Sequence, residues 1–211
     1  MRLYLYRFLI IVLSLIALNH LNAQNNKMTS SQSKAEDVMT LDFDKNLNIP
    51  KIKDKYKSNI IAHQKKLGEQ FIKQGYKVET IRKGEVLIIS IPAHDLFAPN
   101  NISLLESASI QLQPILSLAK NKMYKLLVAM HSDDTGSEQY QEMLTNNRIV
   151  AVYEWIKDNA HNTTTIVPYA MGNSEPIEPN NSRVNRQKNR RLEIYVVPAE
   201  QMIERSKGNN L

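Results

Sequence analysis

The sequence predicts a two-layer α/β (α+β) sandwich built around one sheet. Three observations predict it. Across residues 78–200, short β-branched segments alternate with segments of helical periodicity. One strand, Tyr-Lys-Leu-Leu-Val-Ala-Met-His at 124–131, is nearly all apolar, as a strand covered on both faces would be. The last strand, 190–198, alternates Leu192, Ile194 and Val196 against Glu193 and Tyr195.

The elements follow in order. Residues 1–23 carry Arg2 and Arg7 ahead of an uncharged run from Phe8 to Leu18, then a polar stretch ending at Ala23, which is the layout of a secretory signal peptide. The apolar run is shorter than the roughly 20 residues a spanning helix needs. A retained membrane anchor is the alternative, because Leu21 is not the small residue usual at the −3 position. Residues 24–50, rich in Asn, Ser, Lys and Asp, read as a flexible linker. Residues 51–77 read as a basic amphipathic helix, with Ile52, Tyr56, Ile60, Leu67 and Phe71 at helical intervals among lysines and Gly75 to end it. That face is either simply solvated or in contact with an anionic envelope polymer or lipid surface.

A hairpin turning at Arg82-Lys83-Gly84-Glu85 comes next, and Pro92 stops its second strand. Ser103 and Glu106 have capping-box spacing before an apolar-periodic run from Leu104 to Lys120, which Pro114 should kink or restart. After strand 124–131 a helix is expected from about Ser137 to Asp158, then a strand in Thr-Thr-Thr-Ile-Val-Pro-Tyr-Ala-Met-Gly. A long Pro/Asn-rich loop follows to Asn189, then the final strand, and residues 201–211 read as a tail.

Composition narrows the function. There is no cysteine, so disulfides, a thiol nucleophile and a lipidated N-terminal cysteine are excluded. With no Gly-x-Ser-x-Gly and no phosphate loop either, catalysis has no visible machinery, and an enzyme is not expected. The formal net charge of +6 is concentrated: residues 51–77 hold eight lysines against Asp54 and Glu69, and the chain from residue 78 is near neutral. A basic segment on an otherwise balanced, exported chain argues against nucleic acid as a partner. His131, Asp133 and Asp134 could be read as metal ligands, but without a second placed histidine no metal is expected, nor any cofactor.

One residue breaks the pattern of the long helix. On a wheel of about 100° per residue with Tyr140 at zero, Arg148 falls near roughly 80°, between Leu144 and Val152 at roughly 40° and 120°. A guanidinium in an apolar arc must reach a carboxylate, carbonyls or an anionic ligand. Asp133 and Asp134, in the turn before this helix, are the candidate partners. A structural Asp–Arg bridge and a site for a zwitterion, with the carboxylate taking an ammonium and the guanidinium a carboxylate, both fit these residues.

His-Ser-Asp-Asp-Thr-Gly-Ser-Glu-Gln-Tyr-Gln-Glu-Met-Leu-Thr-Asn-Asn-Arg-Ile-Val-Ala-Val at 131–152, Gly-Asn-Ser-Glu-Pro-Ile-Glu-Pro-Asn at 172–180 and Asn-Arg-Arg-Leu-Glu-Ile-Tyr-Val at 189–196 resemble the C-terminal domain of the OmpA family. The family pattern is Gly-His-Thr-Asp-x-x-Gly, Tyr-Asn-x-x-Leu-Ser-x-x-Arg-Ala-x-x-Val and Asn-Arg-Arg-Val-Glu, and the likeness spans about residues 84–198. The resemblance implies a β/α/β/α/β domain with a mixed sheet over residues 78–200, and non-covalent binding of peptidoglycan through the diaminopimelate of its stem peptide. By position, Asp133 would accept the ammonium and Arg148 would hold the carboxylate. Arg190 would support the anionic end, and Thr135, Asn100 and Gln141 would line the pocket. Met130, Ser132, Gln141, Thr145 and Ile149 depart from the family's residues, and Gln141 is one methylene longer than the family's asparagine.

The expectation is therefore an exported periplasmic protein associated with the cell wall and the outer membrane. An envelope partner could dock on residues 51–77. The competing expectation is an envelope module in which Asp133 and Arg148 form only a core salt bridge.

Overall fold

The computed structural model describes residues 43–49, 52–160, 164–208 and 211. The signal-peptide reading of residues 1–23 and most of the linker lie outside them. No helix of the described residues is long and apolar enough to cross a membrane.

Helix α1 (Phe43–Leu47) leads to the long α2 (Asp54–Lys73). Strands β1 (Lys77–Ile81) and β2 (Val86–Pro92) form the expected hairpin, with Ile81 opposite Val86 across a 3-10 turn at Arg82–Gly84. A short α3 (Ala93–Leu96) and then α4 (Ala108–Ala119) precede β3 (Tyr124–His131). Next come α5 (Glu138–Asn159), β4 (Thr165–Gly172), α6 (Arg183–Asn189), β5 (Arg191–Pro198) and α7 (Glu200–Lys207).

The five strands make one mixed sheet in the order β1-β2-β5-β3-β4. β3 and β4 are parallel, while β1/β2, β2/β5 and β5/β3 are antiparallel. This is the α/β sandwich the alternation of elements predicts. Strand periodicity sorts each side chain to a face. Leu87, Ile89, Leu126, Val128, Leu192, Ile194 and Val196 face the helix layer, where Ile60, Leu112, Ile115, Ile149, Val152 and Ile156 meet them. Val86, Ile88, Leu127, Ala129, Tyr169, Tyr195 and Val197 form a second, smaller core on the other face. Both faces being covered explains why β3 reads as almost continuously apolar and why β5 is buried along its whole length, Arg191 and Glu193 included.

Five expectations need correction. The linker reading fails at its C-terminal end: residues 43–47 are helical, Leu47 is buried, and Phe43 packs edge-on against Tyr169 and Tyr195 over the smaller core. The capping box does not form. Leu104 is bridged to Phe97, and the Leu105 N–H bonds to the Leu96 carbonyl at 2.9 Å, so this stretch is extended and α4 starts only at Ala108. α4 then continues through Pro114. The loop before β5 contains α6, whose first turn is capped by Ser182 accepting the Asn185 N–H. The tail is helical through Lys207, because Met202 and Ile203 find places in the main core.

Candidate functional site

At one end of the sheet, β2 finishes at Pro92 opposite Arg191, which opens β5, and Arg191 in turn pairs with His131, the last residue of β3. The Ala93 N–H bonds to the Arg190 carbonyl at 2.9 Å, and the Ser132 N–H to the Gly172 carbonyl at 2.7 Å. The segments leaving β2, β3 and β4 and the one entering β5 are thereby tied side by side. The strand end and the N-terminal half of α5 border a cleft of about 340 Å³.

All six residues singled out in the sequence line this cleft: Asn100, Asp133, Thr135, Gln141, Arg148 and Arg190. They come from the loop after α3, the turn after β3, helix α5 and the residue before β5. Asp133 is buried, with 4% exposure. Its Oδ1 accepts the Thr135 N–H at 2.9 Å, an Asx turn that fixes the carboxylate, and its Oδ2 accepts from Arg190 Nη1. Arg190 remains partly open to solvent.

Arg148 is also buried, at 6% exposure, but its partners are not carboxylates. Nε donates to the Asn101 carbonyl at 2.8 Å, Nη2 donates to the Ala98 carbonyl at 3.3 Å, and the guanidinium carbon lies 4.9 Å from the centroid of the Phe97 ring. The salt bridge suggested between Asp133 and Arg148 is therefore not formed; among the described residues, the ion pair of Asp133 is with Arg190. The reason is geometric: the loop following α3 folds over α5 and presents carbonyls to Arg148, while Arg190 enters from β5. The remaining N–H groups of the Arg148 fork have no partner among the described residues. Burial lowers the Arg148 pKa from its ordinary value; Tyr140 opposes that and the nearby Arg190 charge adds to it.

The other lining residues behave differently. Asn100 is exposed with φ of 55°, a left-handed conformation asparagine tolerates, and its Oδ1 accepts from the Tyr140 hydroxyl at 3.2 Å. Gln141 is buried: Nε2 donates to the Gly136 carbonyl at 3.1 Å, and Oε1 has no partner among the described residues. The bond to Gly136 braces the turn ahead of α5. Asp134, the other carboxylate considered for Arg148, is exposed and does not line the cleft. His131 points to the face of the smaller core, its Nε2 3.2 Å from Glu193 Oε2.

Sequence reasoning missed Phe97, Tyr140, Arg183 and His94, which also border the cleft. Tyr140 carried a signal, since it shares the helical arc of Arg148. Phe97 and the Ala98 and Asn101 carbonyls carried none, because their positions follow from a nonperiodic loop. With Arg148, Arg183 and Arg190 set against Asp133, the cleft is cationic around one buried carboxylate. It can offer hydrogen bonds to an anionic group from two sides and one negative point to an ammonium.

Comparison with known proteins adds to this geometry. No curated protein matches the chain. Among solved structures, the chain is similar to a MotB-like protein from Desulfovibrio vulgaris, with TM-score 0.54 and 18% identity over 67% of this chain and 95% of that one. It is similar to the cell wall anchor of the T6SS from Pseudomonas aeruginosa, with TM-score 0.54 and 22% identity over 66% and 97%. The periplasmic domain of a MotB matches with TM-score 0.50 and 22% identity over 64% and 74%. These likenesses establish the shared fold. Residues 96–190, which hold every residue of the cleft from Phe97 to Arg190, match the OmpA family model, and the chain thus carries an OmpA family domain over that span.

Proposed function

We propose that the protein binds peptidoglycan non-covalently, taking the diaminopimelate of a stem peptide into the cleft between Asp133 and Arg148. The observation that carries this reading is the convergence of four chain segments on a buried carboxylate flanked by two guanidiniums. A zwitterionic amino-acid terminus complements that arrangement. Its carboxylate meets the open part of the Arg148 fork, with Arg190 beside it, and its ammonium shares Asp133. Thr135 and Asn100 border the same space, and Gln141 acts beneath them by bracing the turn. The cell wall anchor among the structural neighbours supports the reading, as does the OmpA family domain. On this reading the protein is a binding module rather than an enzyme, exported to the periplasm and associated with the cell wall and outer membrane.

The test is sedimentation with purified peptidoglycan sacculi, with circular dichroism on each variant. Wild type should sediment and be released by free meso-diaminopimelate. Asp133→Asn keeps an oxygen for the Thr135 N–H but loses the negative charge, and should bind at least about tenfold more weakly while folded, the scale of one charge-assisted hydrogen bond. Wild type that stays in solution, or a folded Asp133→Asn that sediments like wild type, would overturn the proposal.

A further inference from the structure

Helix α2 sorts the lysines of residues 51–77 by face. At about 100° per residue with Lys55 at zero, Lys73 falls near roughly 0°, Lys66 near roughly 20° and Lys65 near roughly −80°. Four lysines thus share an arc of about 100° along about 27 Å of helix. All four are exposed, while Ile60, Gln64, Gly68 and Phe71 point inward from the opposite side. Outside the arc, exposed Lys53 precedes the first turn of α2, while Lys57 is paired with Asp54 and Glu85 and Lys77, on β1, with Glu79. Among the described residues, the four outer lysines make no ion pair, and only Lys55 has an aromatic neighbour, Tyr56 at 4.7 Å. Within the arc the exposed Glu69 stands four residues from Lys65 and from Lys73 and three from Lys66, which offsets part of the repulsion among the lysines and leaves the face with a net positive charge.

The position of this face matters as well. α2 packs at the end of the sheet where β3 begins: His63 Nε2 is 2.8 Å from the Tyr124 hydroxyl, and Gln64 Nε2 donates to the Val196 and Glu85 carbonyls. The cleft lies beyond the other end of β3, about 26 Å away along an eight-residue strand. A ligand on one does not obstruct the other.

We infer that the outer face of α2 docks on an anionic phospholipid membrane surface through Lys55, Lys65, Lys66 and Lys73. Lysine is suited to this: its ammonium is a compact point charge on a flexible stem that follows mobile headgroups, whereas a fixed carboxylate or phosphate is better matched by the planar arginine fork, which this face lacks. The centre of the arc holds Ser58, Ala62 and Glu69, so four lysines outweigh one carboxylate, and with no large apolar side chain to insert the contact is electrostatic and stays at headgroup level. Exposed Ile72 at the rim adds one apolar contact.

The experiment compares sedimentation of the full chain with vesicles of phosphatidylcholine alone and with vesicles in which about a third of the lipid is anionic phosphatidylglycerol, whose negative surface potential attracts basic segments. The quantity read is the gain in partitioning caused by the anionic lipid, which cancels any contribution of the apolar N-terminal segment common to all variants. Lys55, Lys65, Lys66 and Lys73 are changed together to Gln. A second variant changes Lys83, Lys125, Lys157 and Lys188 to Gln, removing the same charge from other elements. Circular dichroism and sacculus sedimentation accompany both. The gain should fall at least about tenfold in the helix variant in 0.1 M salt, persist in the control variant, and vanish for wild type in about 1 M salt. No anionic gain in wild type, or equal loss in both variants, overturns the proposal. So does a helix variant that keeps the gain but leaves the sacculi, which would assign the face to a wall polymer. Because vesicles contain no peptidoglycan, the outcome is independent of the function proposed for the cleft.

Discussion

Arg148 has three things to lose: two carbonyl hydrogen bonds, the Phe97 ring beneath it, and the open N–H groups facing the cleft. Lysine at this position keeps the charge but can neither bridge both carbonyls in the same plane nor stack. Arg148→Lys should lower stability by about 1 kcal/mol, read by urea unfolding, and weaken sacculus binding by more than the stability change accounts for. Unchanged binding would leave Arg148 as a brace of the loop after α3 alone. On the opposite face, Glu193 supports a pH prediction. Burial would raise its pKa, but contact with His131 and bonds from Tyr195 and Arg191 outweigh burial and hold it at about 2, below the ordinary 4.5. A carboxyl depressed in this way contributes stability that is complete above about pH 4.5 and is lost as pH falls through about 2. Glu193→Gln should therefore be less stable than wild type at pH 7 by on the order of 3 kcal/mol, with the gap narrowing from about pH 4.5 downward. A gap that stays constant with pH would remove ionisation as its cause.

At the scale of the element, the turn into α5 is the critical join. Gly136 has φ of 89°, and a Cβ there would sit 2.8 Å from Cδ1 of Tyr140, whose hydroxyl reaches Asn100 across the cleft. Gly136→Ala should cost about 1–2 kcal/mol in thermal or urea unfolding and, by displacing the Tyr140 ring, weaken sacculus binding in the folded protein; a variant as stable as wild type would mean the turn relaxes freely. Much of this join was legible in the sequence. Ser137, where the helix is expected to begin, caps α5 by accepting the Tyr140 N–H, and Arg148 is buried as its place on the wheel requires, between partly buried Leu144 and buried Val152. What could not be read are features fixed by contacts distant in sequence or outside any period. Asn189 is one: its side chain accepts from the Ile177 and Glu178 N–H groups and donates to the Glu178 carbonyl and Asn180, so the Pro/Asn-rich loop is clasped shut and α6 can form within it. The stretch Phe97–Leu105 is another. Its leucines have helical spacing to the next helix, yet Leu104 and Leu105 are drawn into pairing with Phe97 and Leu96, and that pairing aims the Ala98 and Asn101 carbonyls at Arg148.

At the scale of the whole molecule, the sheet must hide two apolar faces, and the helices after β1, together with α2, cover only one. Residues 43–49 cover the other: Leu47 is buried there, Phe43 lies edge-on 4.9 Å from Tyr169 and 5.1 Å from Tyr195, and Ile49 packs beside them. Without this segment, Leu127, Ala129, Tyr169, Tyr195 and Val197 would form an open apolar patch on a sheet, which favours self-association. Leu47→Ala should lower stability by about 2–3 kcal/mol in urea unfolding, toward the low end for a buried leucine because the segment carrying it can adjust. Changing Phe43 and Leu47 together to Ala should lower stability further and produce concentration-dependent association in sedimentation velocity. The cleft is built from strand ends and α5, none of which these two side chains touch, so the still-folded single variant should bind sacculi as wild type does. Loss of binding in a folded Leu47→Ala protein would instead mean that the covered face and the cleft communicate, and the route available is the buried His131–Glu193–Arg191 group, which sits on that face one residue in sequence from both Ser132 and Arg190.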